Sequence, residues 1–308
     1  MPQHNGVYDS VLELIGGTPL VRLRHFDGLD RVQLYAKLEF LNPGGSVKDR
    51  IGPYLLAAAE ASGQLKPGGV VIEPPAGNTG IGLALAARQK GYRVIVVVPE
   101  HFSKEKQALM AALGAEIVNT PRSAGMAGAI EKARELAAEL GGYVPQQFAN
   151  PANPQAHYET TGPEIYRQLQ GRVDVFVAGV GSGGTFTGVA RYLKERLPHV
   201  KAVAVEPEGS ILQGGQPGPH RTEGIGVEFI PDTLDTSLID QVYTVLDDDA
   251  FAMVKELARR EGLLVGSSAG AAFYAAYQEA LKAPDGATIV TIFPDGSDRY
   301  LSKDIYGG

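Results

Sequence analysis

Short apolar runs alternate with segments of helical periodicity along most of the chain. A first set of strand patterns, each followed by a helix pattern, occupies residues 70–72 and 81–90, 94–98 and 103–113, and 115–118 and 127–140. A second set has strand patterns at 173–178, 200–205, 242–246 and 289–293, with helix patterns at 187–197 and 248–261. Apolar runs of this length, separated by helical segments, indicate βα units. The pattern predicts an α/β fold with two domains, each a mostly parallel twisted sheet flanked by helices.

Two stretches interrupt this alternation. Residues 147–153, QFANPAN, are polar and proline-rich, so we expect a domain junction there. Residues 209–226 form a long loop rich in glycine and proline, and loops of this length in compact domains are usually functional lids or disordered.

The composition restricts the kinds of partner. The 28 basic and 35 acidic residues give a net charge of −7, which argues against nucleic acid or an anionic membrane. No apolar run approaches a membrane-spanning length and the N-terminus lacks signal-peptide features, so we expect a cytoplasmic protein. The chain has no cysteine, and its six histidines lack the spacing of metal ligands, so we expect no metal site.

One lysine stands out by its position. Lys48 follows a Pro-Gly-Gly turn within NPGGSVKDRIG, residues 42–52, at the predicted opening of a helix. Helix N-termini carry partial positive charge, so this position favours a neutral amine over an ammonium. Such a lysine can form a Schiff base. The alternative, on these residues alone, is a solvated first-turn lysine that pairs with Asp49 or another neighbour.

Two glycine-bearing loops lie between predicted strands and helices. In Gly179–Thr185, glycines allow close approach of backbone N–H groups, and Ser182 and Thr185 add hydroxyl donors, so we predict a phosphate site. The same loop satisfies GxGxxG, and Glu206 lies where a ribose-binding acid is expected, so a nicotinamide dehydrogenase competes at this point. In the second loop, 77–80, Asn78 and Thr79 could bind an anion, or Asn78 could cap the following helix.

The order of the motifs resembles the cysteine synthase and cystathionine β-synthase family, the fold type II enzymes that use pyridoxal 5′-phosphate (PLP) and have a tryptophan synthase β-like fold. The resemblance covers nearly the whole chain in collinear order and displaces the dehydrogenase interpretation. Its motifs are GTPL from Gly17, NPGGSVKDR with Lys48, GNTGIGLA from Gly77, QFANPAN, GSGGT from Gly181, GIGVEFIP from Gly224, and GSSAG from Gly266.

The resemblance implies roles for individual residues. Lys48 would form the internal aldimine and act as the general base, Asn78 would bond the 3′ oxygen of the cofactor, and Ser268 would face the pyridine nitrogen. The phosphate would be held by Gly181, Ser182, Gly183, Gly184 and Thr185. The substrate would be bound by Gly77, Thr79, Gln147, Gly224 and Glu228. Residues 44–150 would form a smaller mobile substrate-binding domain, and residues 1–43 and 151–308 a larger cofactor-binding domain.

The implied reaction is β-replacement on O-acetylserine or serine through an aminoacrylate intermediate. Sulfide would give cysteine and homocysteine would give cystathionine, in cysteine biosynthesis or transsulfuration. A PLP-dependent serine or threonine dehydratase is the alternative enzyme. A catalytically idle member that binds serine acetyltransferase is the alternative of another class, against which intact Lys48, Asn78 and Ser268 argue. The resemblance also implies a homodimer and serine acetyltransferase as a possible partner.

Four positions bear on the choice of substrate. Many family members carry Thr-Ser where this chain has Pro75 and Ala76, which removes hydroxyl donors for the substrate carboxylate. Glu228 stands where simple cysteine synthases have a small residue, so its carboxylate either meets the ammonium of homocysteine or is solvated. Arg221 would favour a phosphorylated substrate unless it too is solvated.

Overall fold

The structure is a computed structural model of the chain, and it describes residues 6–74 and 77–307. The chain divides into two units, each with its own β-sheet. The smaller unit contains the described residues up to Ile15 together with Asn42–Ala152. The larger unit contains Gly16–Leu41 and the described residues from Asn153 onward. The larger unit is therefore assembled from two segments that are distant in sequence.

Strands and helices alternate in both units. The strands are β1 (Leu20–Leu23), β2 (Gln33–Leu38), β3 (Val70–Glu73), β4 (Arg93–Pro99), β5 (Glu116–Thr120), β6 (Val175–Gly179), β7 (Lys201–Pro207), β8 (Gln241–Val245) and β9 (Thr288–Phe293). The α-helices are α1 (Ile51–Ala61), α2 (Gly77–Lys90), α3 (Lys104–Ala112), α4 (Gly125–Leu140), α5 (Ala152–Ala156), α6 (Gly162–Gln168), α7 (Gly184–Arg196), α8 (Asp247–Glu261) and α9 (Ser267–Lys282). A π-helical turn, His157–Thr161, joins α5 to α6.

The sheet of the smaller unit has the order β3-β4-β5, and all its strands are parallel. Every residue of β4 except the first is buried, as expected of a central parallel strand that is covered on both faces. Helix α4 covers one face, where Ala129 and Ala133 pack with Ile72, Ile95 and Val97. The small alanine side chains allow the helix to lie close to the sheet.

The sheet of the larger unit has the order β1-β2-β9-β6-β7-β8. Only the β1–β2 pair is antiparallel, and the other four pairs are parallel. All six residues of β9 are buried in the middle of this sheet. These two sheets confirm the predicted α/β fold with mostly parallel strands.

Most strand predictions agree with the structure to within two residues, but two helix starts were wrong. Helix α2 begins at Gly77 rather than at residue 81, and α7 begins at Gly184 rather than at residue 187. In both cases the helix begins at a glycine, a poor helix former, so the helical state of its first turn comes from packing rather than from propensity. The helical stretch from α5 to α6 was missed altogether, because its sequence contains two prolines and a glycine, Pro154, Pro163 and Gly162, which disfavour a helix.

The division between the units falls after Ala152, within the segment 147–153. The described residues up to Ile15 group with the smaller unit, whereas the sequence analysis placed them with the larger domain. The substrate-binding and cofactor-binding roles of the two domains stay predictions. Within residues 6–74 and 77–307, no helix combines the length and apolar character needed to cross a membrane.

Candidate active site

Lys48 lies in a short 3₁₀ turn, Val47–Arg50, immediately before α1. The hydroxyl of Ser46 caps this turn by accepting a hydrogen bond from the Lys48 backbone N–H at 3.2 Å. Asp49 is buried and its carboxylate accepts a hydrogen bond from the Gly44 N–H at 2.6 Å. The turn is thus fixed at both ends by side chains, while Lys48 itself is half-buried.

Two glycines allow the Lys48 turn to lie directly against α2. A Cβ at Gly82 would lie 2.5 Å from the carbonyl oxygen of Lys48, and a Cβ at Gly52 would overlap with the carbonyl oxygen of Gly82. Real Cβ atoms do not approach backbone this closely, so neither position accepts a larger residue without a backbone shift. The GNTGIG sequence therefore both forms the predicted anion-binding loop and provides the surface on which the Lys48 turn rests.

The structure brings two predicted substrate-binding residues together at the start of α2. The hydroxyl of Thr79 donates to Oε1 of Gln147 at 2.7 Å, and both side chains are buried. Asn78 lies in the first turn of α2 rather than at its N-cap position, so the alternative of a capping asparagine is not supported. Gly77, Asn78, Thr79 and Gln147 belong to the same unit as Lys48. Pro75 and Ala76 lie outside the described residues.

Sequence reasoning missed a buried lysine beside this loop. Lys106, on α3, is 4% exposed, and a Cβ at Gly77 would lie 2.9 Å from its Cδ and 3.3 Å from its Nζ. The lysine stem therefore packs against the first residue of α2. Its position in the amphipathic segment 103–113 carried no signal of this contact.

Sequence reasoning also missed Glu73, the last residue of β3. This side chain is 1% exposed, and its Oε2 has no hydrogen-bond partner in the described part of the chain. Burial raises the pKa of the Glu73 carboxyl to about 8, because the charged form loses its hydration. Burial raises the pKa of the Tyr143 phenol, the hydrogen bond with Asn150 opposes this shift, and the Glu73 carboxylate, once ionised at alkaline pH, adds to it. A neutral carboxylic acid thus lies at the strand end that leads into the Asn78 loop.

The predicted phosphate loop connects β6 to α7 in the larger unit. Gly183 has φ +83° and Gly184 begins the helix, so the backbone turns sharply before the helix N-terminus. Among the described residues, no acceptor is bonded to the backbone N–H groups of Gly181, Ser182, Gly183 and Gly184. Helix N-termini with such donors bind phosphate without further charge.

Glycines are required in this loop because its surroundings are tightly packed. A Cβ at Gly181 would lie 2.5 Å from the Gly224 carbonyl oxygen, and one at Gly183 would lie 2.6 Å from Cβ of Leu234. A Cβ at Gly184 would overlap with the amide of Asn153. That amide donates to the Ser182 hydroxyl at 2.9 Å and so holds the loop from behind. The loop forms a rigid cradle of N–H groups.

A buried histidine supports the far end of the cradle. His157, in the π-helical turn, is 0% exposed, and its Nε2 lies 3.2 Å from the Thr185 hydroxyl while its Nδ1 lies 2.9 Å from the Thr161 hydroxyl. The two contacts fix the imidazole and thereby the Thr185 hydroxyl. π-Helical turns often occur at functional sites. Sequence reasoning missed His157, because a lone histidine in an unassigned segment is not a signal by itself.

We expect Gly184→Ala to weaken PLP binding at least about tenfold, because the new methyl displaces Asn153 and widens the cradle. Equilibrium dialysis of the cofactor-free protein against PLP measures the effect. Gly218→Ala is the matched control, since a Cβ there meets only ordinary contacts at 3.5 Å. Equal PLP affinities of the two variants would show that the Gly181–Thr185 loop does not hold the phosphate.

Ser268 and Gly224 lie close together in the larger unit. Ser268 is buried in the first turn of α9, and a Cβ at Gly224 would lie 4.0 Å from its Oγ. Gly224 has φ +85°, a left-handed conformation that favours glycine. The preceding residue, Glu223, donates its backbone N–H to the Ser267 hydroxyl at 3.0 Å. The GIGVEFIP loop is thus joined to the start of α9.

Two charged residues in or near this loop, Glu228 and Arg221, differ in their partners. Glu228 is exposed and makes no hydrogen bond or ion pair within the part of the chain that the structure describes. Arg221 forms ion pairs with Asp247 and Asp248 and lies 4.9 Å over the Phe251 ring. The Arg221 charge is therefore already compensated, which does not support a role in binding a phosphorylated substrate.

The Glu206 carboxylate has a structural role, because it is hydrogen-bonded to protein groups rather than available to a nucleotide. Its carboxylate accepts hydrogen bonds from the backbone N–H groups of Leu212 and Gln213 and from the Thr244 hydroxyl, at 2.7–3.0 Å. These bonds hold the start of the long glycine-rich loop. The acid expected to bind ribose in a dehydrogenase is therefore already bonded to protein groups.

The residues present fit PLP. The larger unit provides unpaired N–H groups for a phosphate, in a cradle that a single Cβ would fill, and a buried serine hydroxyl suited to a neutral pyridine nitrogen. The smaller unit provides a lysine amine beside a helix start, with the Thr79–Gln147 pair suited to a carboxylate.

Comparisons with known proteins agree with this assignment. A protein of Bacillus subtilis named O-acetylserine dependent cystathionine beta-synthase is 59% identical over 303 residues, which cover 98% of this chain and 99% of the relative. A cysteine synthase of Helicobacter pylori is 52% identical over 303 residues, with coverages of 97% and 99%. The crystal structure of O-acetylserine dependent cystathionine beta-synthase from Helicobacter pylori has a TM-score of 0.90 at 51% identity, with coverages of 98% and 99%.

The model of a family described as "Pyridoxal-phosphate dependent enzyme" matches residues 11–295, which include the Lys48 turn, the Gly181–Thr185 cradle and Ser268. Together with relatives of this identity and coverage, the match establishes the family. The chain belongs to the pyridoxal-phosphate dependent enzyme family.

Proposed function

We propose that this protein catalyses PLP-dependent β-replacement on O-acetylserine, with homocysteine as an acceptor in addition to sulfide. The observation that carries the proposal is the 59% identity, over 98% of the chain, to the Bacillus subtilis protein named O-acetylserine dependent cystathionine beta-synthase. The name of the Helicobacter pylori relative, cysteine synthase, supports sulfide as the second acceptor. None of these names describes a dehydratase, so that alternative is not favoured.

Bound PLP supplies an electron sink that makes the α-proton of an attached amino acid acidic and allows its β-substituent to leave. The Lys48 amine would hold the cofactor covalently and, when neutral, would accept the α-proton at Nζ. Its place in a turn capped by Ser46 and packed on Gly82 supports this role, because the lysine backbone is fixed while the side chain remains half-buried. A fixed backbone limits the positions that the amine reaches.

The Thr79–Gln147 pair would bind the α-carboxylate of the substrate. Because the Thr79 hydroxyl donates to Oε1 of Gln147, the Gln147 amide is held in one orientation. A bound carboxylate would accept hydrogen bonds from that amide and from the first N–H groups of α2, where the helix dipole favours an anion. This arrangement would supply the donors that Pro75 and Ala76 lack.

Ser268 would donate a hydrogen bond from its hydroxyl to the pyridine nitrogen without transferring a full positive charge to it. A serine hydroxyl is far too weak an acid to protonate a pyridine, so the ring would act as a moderate electron sink. A ring that withdraws electrons only moderately does not hold negative charge for long, so it favours loss of the β-substituent from the substrate. This property supports β-replacement as the reaction class.

The test is a competition assay that offers O-acetylserine, serine and phosphoserine, each with sulfide or with homocysteine. We expect O-acetylserine to be the preferred donor and both cysteine and cystathionine to form. Pyruvate as the main product in the presence of either thiol would contradict β-replacement and favour a dehydratase. Phosphoserine is expected to be a poor donor, because Arg221 is already paired with Asp247 and Asp248.

We expect Glu228→Ala to raise the KM for homocysteine about threefold to fivefold and to leave the KM for sulfide unchanged. An exposed carboxylate with no protein partner is available to the ammonium of homocysteine, and exposed ion pairs contribute about this much. Asp232→Ala, at an exposed residue of the same loop, is the matched control. The same change in KM for both acceptors would contradict a role of Glu228 in homocysteine binding.

We also propose that the protein is a cytoplasmic homodimer and that serine acetyltransferase is a candidate partner. These proposals are supported by the resemblance of the chain to the cysteine synthase and cystathionine β-synthase family. Light scattering after size-exclusion chromatography measures the subunit number. Co-elution with serine acetyltransferase measures the second association.

A further inference from the structure

A buried carboxylate and a buried phenol pack against the residue that begins α9. Asp295 and Tyr300 are 1% and 3% exposed, and the Tyr300 hydroxyl donates a hydrogen bond to Oδ2 of Asp295. A Cβ at Gly266 would overlap with Oδ1 of Asp295 and lie 2.8 Å from Cε2 of Tyr300. Gly266, the N-cap residue of α9, has no side chain of its own to cap the helix. Asp295 thus places negative charge at the positive end of α9, which stabilises the helix start.

The backbone of the same segment is bonded to the helix start as well. The Gly266 N–H donates to the Asp295 carbonyl oxygen at 3.1 Å, and Val265 forms an antiparallel bridge with Gly296. The first turn of α9 is therefore joined to the segment around Asp295 through the backbone as well as through side-chain packing. Ser268 lies in this first turn, two residues after Gly266.

The charges around Tyr300 keep its hydroxyl protonated. Burial and the neighbouring Asp295 raise the pKa of the Tyr300 phenol well above its usual value, and Glu223 adds to this while Arg299 opposes it. Glu223 forms an ion pair with Lys303. Tyr300 consequently remains a hydrogen-bond donor to Asp295 throughout the physiological pH range.

We propose that Asp295 and Tyr300 form a positioning pair that fixes the first turn of α9 and thereby orients the Ser268 hydroxyl toward the pyridine nitrogen of PLP. The inference rests on the proposed role of Ser268. Loss of the Tyr300 hydroxyl removes the hydrogen bond to Oδ2 of Asp295, so the carboxylate that packs against Gly266 is held less firmly and the helix start that packs on it shifts. A shift of this turn misaligns the Ser268 hydroxyl without changing any residue that contacts the cofactor.

The test is a double-mutant cycle on PLP affinity, measured by equilibrium dialysis of the cofactor-free proteins. Ser268→Ala and Tyr300→Phe are each expected to weaken PLP binding about threefold to tenfold, the value of one hydrogen bond. If Tyr300 acts through Ser268, Tyr300→Phe in the Ser268→Ala background changes the affinity less than about twofold. A general structural defect would instead lower the affinity by the same factor in both backgrounds.

Tyr306→Phe is the matched control, because its buried hydroxyl has no hydrogen-bond partner in the described part of the chain. It is expected to leave PLP affinity unchanged. If Tyr300→Phe does not fold, as judged by thermal unfolding of the cofactor-free protein, Asp295→Asn takes its place in the cycle. The absorption maximum of the PLP-loaded protein is expected to shift equally in Ser268→Ala and in Tyr300→Phe.

Equal effects of Tyr300→Phe in both backgrounds, or no effect in the native background, would overturn the positioning pair. No effect of Ser268→Ala would overturn it too, because the hydroxyl would not contact the cofactor. All three of these outcomes are measured by PLP binding. Failure of the proposed β-replacement is read separately, from the products formed with O-acetylserine and homocysteine.

Discussion

Lys48→Ala is expected to lower the rate of cystathionine formation at least about 10³-fold, because the variant loses both the covalent attachment of the cofactor and the proposed general base. The backbone of the turn should be preserved, since Ser46 caps it through the Lys48 backbone N–H rather than through the side chain. Initial rates with O-acetylserine and homocysteine measure the effect. Borohydride reduction followed by peptide mapping shows whether PLP becomes attached to the peptide that contains Lys48.

Lys66→Ala is the matched control, because Lys66 is an exposed residue of the smaller unit and lies in a turn. Its activity and its borohydride product should equal those of the native protein. A Lys48→Ala variant that retains a tenth of the native rate would show that another group acts as the base. In that case the buried Lys106 beside Gly77 would be the next residue to replace.

Glu73→Gln is expected to remove a pH dependence of stability on the order of 4 kcal/mol. Burial raises the pKa of Glu73 from 4.5 to about 8 in the folded protein. Between these two values the folded state binds more protons than the unfolded state, so the free energy of unfolding falls as the pH rises. Below this window both states are protonated, and above it both are ionised. The loss of stability is therefore complete above a pH of about 8.

Glutamine has nearly the same size as glutamate but does not ionise, so the variant should show no such fall. Denaturant unfolding of the native protein and of Glu73→Gln at about pH 5 and about pH 9 measures the two slopes. The difference between the slopes is more informative than either absolute stability, because the buried amide also lacks partners. Glu131→Gln, at an exposed residue of α4, is the control and should retain the native slope. Parallel slopes in all three proteins would show that Glu73 is not a buried neutral acid.

The fold was largely predictable because parallel strands are buried on both faces. Runs such as Val94–Val98 are continuously apolar for this reason, and they are recognisable without any alignment. The helix starts at Gly77 and Gly184 were not predictable in the same way. Their glycines are present because another backbone or side chain approaches closely, and that approach is a property of the tertiary structure.

The parts of the candidate site that could be predicted are those whose functional groups all lie within one short sequence motif. The loop Gly181–Thr185 shows its function through its glycines and hydroxyls, and Lys48 through its turn. The pairs that support the site were not predictable, since their members are far apart in sequence. Thr79 and Gln147 are separated by 68 residues, and His157 and Thr185 by 28. No periodicity or spacing rule connects such residues, so only the folded chain reveals them.

The arrangement of strands in the larger unit has a consequence for synthesis on the ribosome. Strand β2, near the start of the chain, pairs with β9, and β9 in turn pairs with β6. Since β9 ends at Phe293, the six-stranded sheet lacks a central strand until residue 293 has been translated. Strands β3, β4 and β5 lie within residues 70–120, so the smaller unit has its complete sheet much earlier. The edge of β2 that pairs with β9 therefore stays unpaired while more than 200 further residues are synthesised. The order of synthesis thus makes the smaller unit, which contains Lys48, the first to fold.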